Sequence, residues 1–371
     1  MTRAEYMKQL QKQLGNFSAD TQQEILEDYN QHFEEGLANG KSEEQIIADL
    51  GSIDDMINEL PQDQRQQEPS VSSKENASYS GAYHTVVLDG AIADIHVEAS
   101  ADNCIHVEYQ NNGNEAQQAK YRFFQYEKDN VFHAGVMDSG LETSNQESKS
   151  FRLFGLPLFS YNGSSTHSGC ILLTVKLPES VSTLNVKTGS GNIRITGITP
   201  QILHTVTGSG DAILCNTTCK ELDAHAGSGN ISLSDIVFDT AVLHTGSGNI
   251  SGKTTFTKAS GSLGGHTGSG NIHLRTAICN CNMQTGSGNI SLHSEHSLQS
   301  SRLQTGSGNI SVVLKNADGM EANVKNNSGN ARLTWKAEPT QHVKNGTFHF
   351  GNGDVKICTK TGSGNIDIIG K

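Results

Sequence analysis

The string Thr-Gly-Ser-Gly-Asn-Ile recurs along the second half of this 371-residue chain and constrains its fold more than any other feature. It stands intact at Thr188–Ile193, Thr245–Ile250, Thr267–Ile272, Thr285–Ile290, Thr305–Ile310 and Thr361–Ile366. Degenerate copies occur at Thr207–Ala212, Ala226–Ile231, Asn326–Ala331 and Phe350–Val355. The first glycines, Gly189, Gly208, Gly227, Gly246, Gly268, Gly286 and Gly306, lie 19, 19, 19, 22, 18 and 20 residues apart, and Gly362 opens the last copy. A period near 20 marks stacked units, each burying its apolar face only against its neighbours.

Aligned on the first glycine, the copies alternate strictly. Four residues on stand Ile193, Ala212, Ile231, Ile250, Ile272, Ile290, Ile310, Ala331, Val355 and Ile366; six residues on stand mostly Ile, Leu or Val; between them lie polar residues such as Arg194, Ser232 and His273. Upstream, Leu184/Val186, Leu222/Ala224, Ala241/Leu243 and Cys281/Met283 repeat the pattern. Period two means strands with one buried and one wet face. Each unit therefore reads as strand, Gly-Ser-Gly-Asn corner, strand and variable return. Gly and Asn tolerate positive φ, so the corner glycines are expected to supply a left-handed bend. The predicted fold is mainly β: a parallel β-solenoid of about ten coils, right-handed as crossovers between parallel strands usually are. The motif threonines fall in the inward phase and are expected to bond the turn.

Other glycine-rich repeats fit poorly. Calcium-binding β-rolls repeat at half this period with aspartate as ligand, whereas only Asp211 and Asp354 occupy the Asn position here. No Gly-x-x-x-x-Gly-Lys occurs, and no helix follows the glycine turns, so phosphate loops are excluded.

Residues 1–60 read differently, as a small α-helical bundle. Thr2-x-x-Glu5 and Ser42-x-x-Gln45 form capping boxes, and Ile25, Leu26, Tyr29, Phe33 and Leu37 make an apolar stripe at helical spacing. Ser52-x-x-Asp55 opens a fourth helix with Ile53, Met56, Ile57 and Leu60, stopped by Pro61. The segment carries 13 Asp/Glu against 4 Lys/Arg, nine of the chain's twelve net negative charges. Such a head does not bind nucleic-acid phosphates; it can dock a basic protein surface, with Glu27, Asp28, Glu34 and Glu35 as candidate contacts, or present a solvated acidic face. Residues 61–80 read as a linker and 81–371 as the β domain, with 81–180 an irregular β cap and 181–371 regular coils.

The stretch Ile25-Leu-Glu-Asp-Tyr29, His32-Phe-Glu-Glu-Gly36, Lys41–Ile47 and Leu50-Gly51 resembles the bacterial helix-turn-helix-associated α-helical signalling domain. From Tyr83 onward, Val86–Val97, Leu172–Pro178 and the Gly-Ser-Gly-Asn copies resemble the bacterial putative-adhesin β-repeat family. The resemblance implies envelope-associated or stress-linked roles and no particular reaction.

Little chemistry stands out. Of seven cysteines (Cys104, Cys170, Cys215, Cys219, Cys279, Cys281 and Cys358), Cys215/Cys219 and Cys279/Cys281 sit coils apart, too far for one zinc site. They read as small apolar fillers, reduced in a cytoplasmic compartment. Phe151–Phe159 is the most apolar window and too short to span a bilayer; it reads as a cap over the open end, or as a loop touching membrane or partner. His225, His244 and His266 stand two residues before successive first glycines. Stacked coils would align them in an outward ladder about 4.8 Å apart, able to hold a transition metal or respond to acid, with a hydrated polar row as the plainer reading. No Ser-His-Asp or His-Glu-x-x-His pattern is evident, and the carboxylates a solenoid glycosidase clusters are scattered.

The sequence therefore predicts a non-enzymatic interaction protein without a cofactor. Its head engages a protein partner and its solenoid presents a surface, in the cytoplasm or peripherally at a membrane. A cell-surface adhesin for a wall or host ligand is the alternative, and a polysaccharide-acting enzyme a more distant one.

Overall fold

The computed structural model describes residues 2–14, 26, 29, 30, 33, 41–50, 74–81, 83–139, 152–153, 156–157, 171–256, 261–276, 280–294 and 299–371. They fall into two units, Met1–Ser70 and Val71–Lys371.

In the first unit the helices Arg3–Gln13 and Glu43–Leu50 bury Tyr6, Leu10, Leu14, Phe33 and Ile46. Tyr6 meets Tyr29 and Phe33 with ring centroids 6.2 and 5.9 Å apart. The second capping box forms as its spacing predicts: the Ser42 amide donates to Gln45 Oε1 at 3.0 Å and the Gln45 amide to Ser42 Oγ at 3.3 Å. The fourth helix expected from Ser52 lies outside the described residues.

The second unit is mainly β, with two long, largely parallel sheets of 14 and 13 strands. Each coil places its strand before the corner in the smaller sheet and its strand after it in the larger. Thr183–Thr188 pairs in register with Ile202–Thr207, and Ile193–Thr196 with Ala212–Cys215. The inward residues form buried columns: Leu184, Leu203, Leu222, Ala241, Leu263 and Cys281 on one side, Ile193, Ala212, Ile231, Ile250, Ile272, Ile290 and Ile310 on the other. Each such Ile or Leu contributes about 1.5–3 kcal/mol.

The corner works differently from expectation in most coils, although Gly329 and Gly364, with φ of +131° and +155°, do take the positive φ expected. None of Gly189, Gly208, Gly227, Gly246, Gly268, Gly286, Gly306 and Gly362 has positive φ. Glycine is required there because an added Cβ at Gly208 would run into the Gly189 carbonyl oxygen, one at Gly210 into Gly191, and one at Gly288 into Gly270, along the whole stack. The motif threonine joins the two layers. Thr285 Oγ1 accepts the Gly288 amide at 3.0 Å and donates to the Gly270 carbonyl of the preceding coil at 2.9 Å. Thr188, Thr207, Thr245 and Thr267 make the same pair of bonds. Beside them, the backbone amide of each corner Asn or Asp donates to the side-chain Oδ1 of the Asn or Asp in the coil before, from Asp94 through Asn192, Asp211, Asn230, Asn249, Asn271, Asn289, Asn309 and Asn365 to Asn330. Asp94 and Asp211 thus serve as rungs of a ladder.

Three boundaries shift. Lys74–Tyr79, within the expected linker, is an edge strand on Ile105–Asn111, because Tyr79 packs on Phe132 with centroids 4.8 Å apart. Thr85–Asp89 and Asp94–Ala99, expected in the irregular cap, form the first coil, with Val86 and Ile95 continuing the core columns. Phe350–Val355 is not a corner: Gly351 and Gly353, with φ of +57° and +74°, turn an antiparallel edge strand into Val355–Ser363, which joins the smaller sheet. Ten coils result among the described residues, stacked out of chain order. The coil Val355–Gly370 inserts between the Thr305 coil and Gly319–Trp335. In the intact copy Thr361–Ile366, Thr361 Oγ1 donates to the Gly308 carbonyl at 2.9 Å; in the degenerate copy Asn326 takes the threonine's place and donates from Nδ2 to the Gly364 carbonyl at 3.1 Å. The degenerate coil takes the outer place.

Antiparallel strands and aromatic pairs close both ends: Tyr109 on Phe123 (5.4 Å) and Tyr83 on Phe132 (5.5 Å) at one, Trp335 on Phe350 (5.8 Å) at the other.

Thr285→Val strands a buried amide and a buried carbonyl, so we expect a loss of about 2 kcal/mol; Ser287→Ala, on the exposed tip of the same corner, should leave the thermal melt unchanged. Gly288→Val should destabilise at least as much through the carbonyl clash. Ile310→Asp buries a charge in a column where Ile310 is 1% exposed and should abolish cooperative melting. Circular dichroism melts of the four variants distinguish these outcomes.

Candidate functional site

With the corners committed to structure, what remains for recognition is the outward rows. The sheet register brings His225, His244 and His266 directly side by side on three adjacent strands. Their ring centroids are 5.5 and 6.5 Å apart, each pair tilted by 35°. The row is bounded by Val206 and Gln284.

A carboxylate anchors one end. Asp223, two residues before His225 on the same outward face, lies with Oδ1 2.8 Å from His225 Nε2 and Oδ2 3.6 Å from Nδ1 of its cross-strand neighbour His204. Burial raises the Asp223 pKa, but the hydrogen bonds from the two histidines outweigh it and hold the group well below the usual carboxylate range. At His244 burial lowers the pKa, and the neighbouring rings of His225 and His266 add to that. The neutral form of the central imidazole is thereby favoured, and that form offers a lone pair to a hydrogen-bond donor or a metal ion. Among the described residues no three His, Cys, Asp or Glu side chains already converge on one metal-sized point.

Other candidates scatter. Glu27, Asp28, Glu34 and Glu35 lie outside the described residues, as do Cys170 and Cys279. Cys219 and Cys281 are buried, and burial pushes the Cys219 thiol up to about 12, so it is inert at neutral pH. Of Phe151–Phe159, only the two-residue strands Arg152–Leu153 and Leu156–Pro157 are described. No described helix is long and apolar enough to cross a membrane.

One arrangement escaped the sequence reading. Ser78 Oγ lies 2.8 Å from His106 Nδ1, whose Nε2 lies 2.8 Å from Asp102 Oδ1. They flank an open cleft of about 430 Å³ lined also by Glu108, Thr174 and Lys176. Only the pairing of Ser78 with His106 across 28 residues creates the group, and no local motif announces it. The residue types are those of a nucleophilic triad, but a triad carboxylate acts from a buried position, whereas the Asp102 side chain is 55% exposed. Its Oδ1 also accepts the Ser100 hydroxyl and the Cys104 amide. The group ties the bend at 100–104 to the edge strand.

A family model described as Toastrack DUF4097 matches residues 83–369, and the HAAS model matches residues 5–59. No curated protein matches the chain. Among solved structures, a putative lipid binding protein from Parabacteroides distasonis ATCC 8503 is 17% identical with a TM-score of 0.47, covering 80% of this chain and 97% of its own. A putative adhesin from Bacteroides fragilis NCTC 9343 is 15% identical with a TM-score of 0.40, covering 81% and 98%. Another, from Parabacteroides merdae ATCC 43184, is 11% identical with a TM-score of 0.42, covering 80% and 96%.

The Asp102 pKa is lowered to about 2, chiefly by the hydrogen bond from His106 and then by those from Cys104 and Ser100. Since the folded value lies below the ordinary one near 3.9, its stabilisation is complete above about pH 4 and fades as pH falls through about 2. Carbon NMR titration should show a midpoint near 2 in the parent protein and an upward shift in His106→Ala.

Proposed function

The chain belongs to the Toastrack DUF4097 family, and from that premise we propose that it is a non-enzymatic scaffold of the bacterial cell envelope: its acidic helical head docks a protein partner, and its solenoid presents a rigid, ruled surface. The observation that carries this reading is the division of labour within the sequence and fold. Conserving the interior and corner pattern uses up the inward positions of every coil, and what varies from coil to coil is the outward rows. A surface built this way recognises extended or repetitive ligands by spacing along one axis.

The head supports the other half of the reading. It lies within a separate compact unit, matches the HAAS model, and its residues 1–60 hold nine of the chain's twelve net negative charges. Charge of one sign concentrated on a small domain steers association with a basic partner. Glu27, Asp28, Glu34 and Glu35 are the contacts we assign to it, and we place the protein on the cytoplasmic side, peripherally at the membrane. A surface adhesin for a wall or host ligand is the second reading; it uses the same outward rows.

A photo-crosslinking residue placed at exposed Gln45 in the full-length protein, expressed in cells, should trap one discrete protein. Changing Glu27, Asp28, Glu34 and Glu35 to Gln or Asn should abolish that adduct while the melting temperature holds. An adduct that survives neutralisation, or none from Gln45, would overturn the head assignment; digestion of the protein by protease added to intact cells would favour the adhesin.

A further inference from the structure

We propose that the outward histidine row is a binding site for a divalent transition-metal ion of the zinc or nickel class, with His225 and His244 as the primary ligands, His266 as the third, and Asp223 as the carboxylate that positions His225. This goes beyond the scaffold reading and stands without it.

The separation of the rings carries the inference. An imidazole nitrogen binds zinc at about 2.0–2.1 Å, and two imidazoles sharing one tetrahedral ion hold their centroids about 5–5.5 Å apart. His225 and His244 already sit at 5.5 Å. His244 and His266, at 6.5 Å, need one half-exposed ring to turn, so the row as it stands offers a chelating pair with a third ligand within reach. The backbone fixes this spacing, because the three residues are in register on hydrogen-bonded strands.

Two further features suit a metal. His225 Nε2 lies 2.8 Å from Asp223 Oδ1, so the carboxylate holds the proton on Nε2 and leaves Nδ1 with its lone pair, the arrangement that orients histidine ligands in metal sites. No hydrogen bond among the described residues occupies the ring nitrogens of His244 or His266. Space is present too. Gly264, two residues before His266 on the same outward face, carries no side chain, and a Cβ there would meet only the Ala241 carbonyl at 3.8 Å. That opening beside His244 and His266 accommodates the ion's remaining waters. Imidazole ligands select zinc, nickel or copper over magnesium and calcium.

Titration of the full chain with zinc chloride, and separately with nickel chloride, tests the site by calorimetry. The parent should bind one more ion than His244→Ala, with affinity for that ion falling at least tenfold in His225→Ala and several-fold in Asp223→Asn. His84→Ala, on an exposed position away from the row, should leave the titration unchanged. Equal stoichiometry and affinity in the parent and His244→Ala would overturn the proposal. Should a row variant fold poorly in its melt, the parent alone decides: nickel should broaden the His225 and His244 ring resonances before those of other histidines, and broadening that spares these two rings would equally refute the site.

Discussion

Backbone rests on backbone at every corner of the larger unit, and all else follows from that closeness. The second glycine of each motif lies so near the carbonyl of the coil before it that no side chain can intervene, and the buried threonine hydroxyl links the two layers by accepting from one and donating to the other. Threonine is suited to this because its hydroxyl offers one donor and two acceptor sites. The coil spacing is thus set at the corner, and the two sheets inherit it. In-register sheets in turn align the Ile and Leu columns of the core and the polar rows outside.

Much of this was legible because the repeat exposes both periodicities at once. The alternation of Ile310 and Val312 with Ser311 identifies strand and buried face, and the inward threonines announce their bonds to the turn. The glycines were misread for a physical reason: composition shows that a side chain is excluded and does not show whether φ or a neighbour excludes it. Gly210 and Gly288 are cases of the second kind, Gly351 and Gly353 of the first. Coil order was illegible for another reason. Thr361–Ile366 and Asn326–Ala331 each fit the alignment, and only the pairing of their strands across the sheets shows which lies inside.

The outward rows follow from the same register. A single histidine on one strand face is commonplace. Three at equivalent positions of consecutive coils become an array, since the sheet converts repetition along the chain into proximity in space. Sequence alignment therefore found His225, His244 and His266 but missed both Asp223 as their anchor and the Ser78–His106–Asp102 group, which depend on side-chain reach or on antiparallel pairing outside the repeat.

The inserted coil has a consequence for how the molecule is made and trimmed. Gly319–Trp335 pairs with the body of the stack only through Val355–Gly370. During synthesis, therefore, the earlier segment emerges before the coil on which its native pairing depends. Cleavage at the turn near Gly353 would sever the connection between them without removing any strand, leaving the two coils held by pairing alone. The fold thus has a keystone laid last.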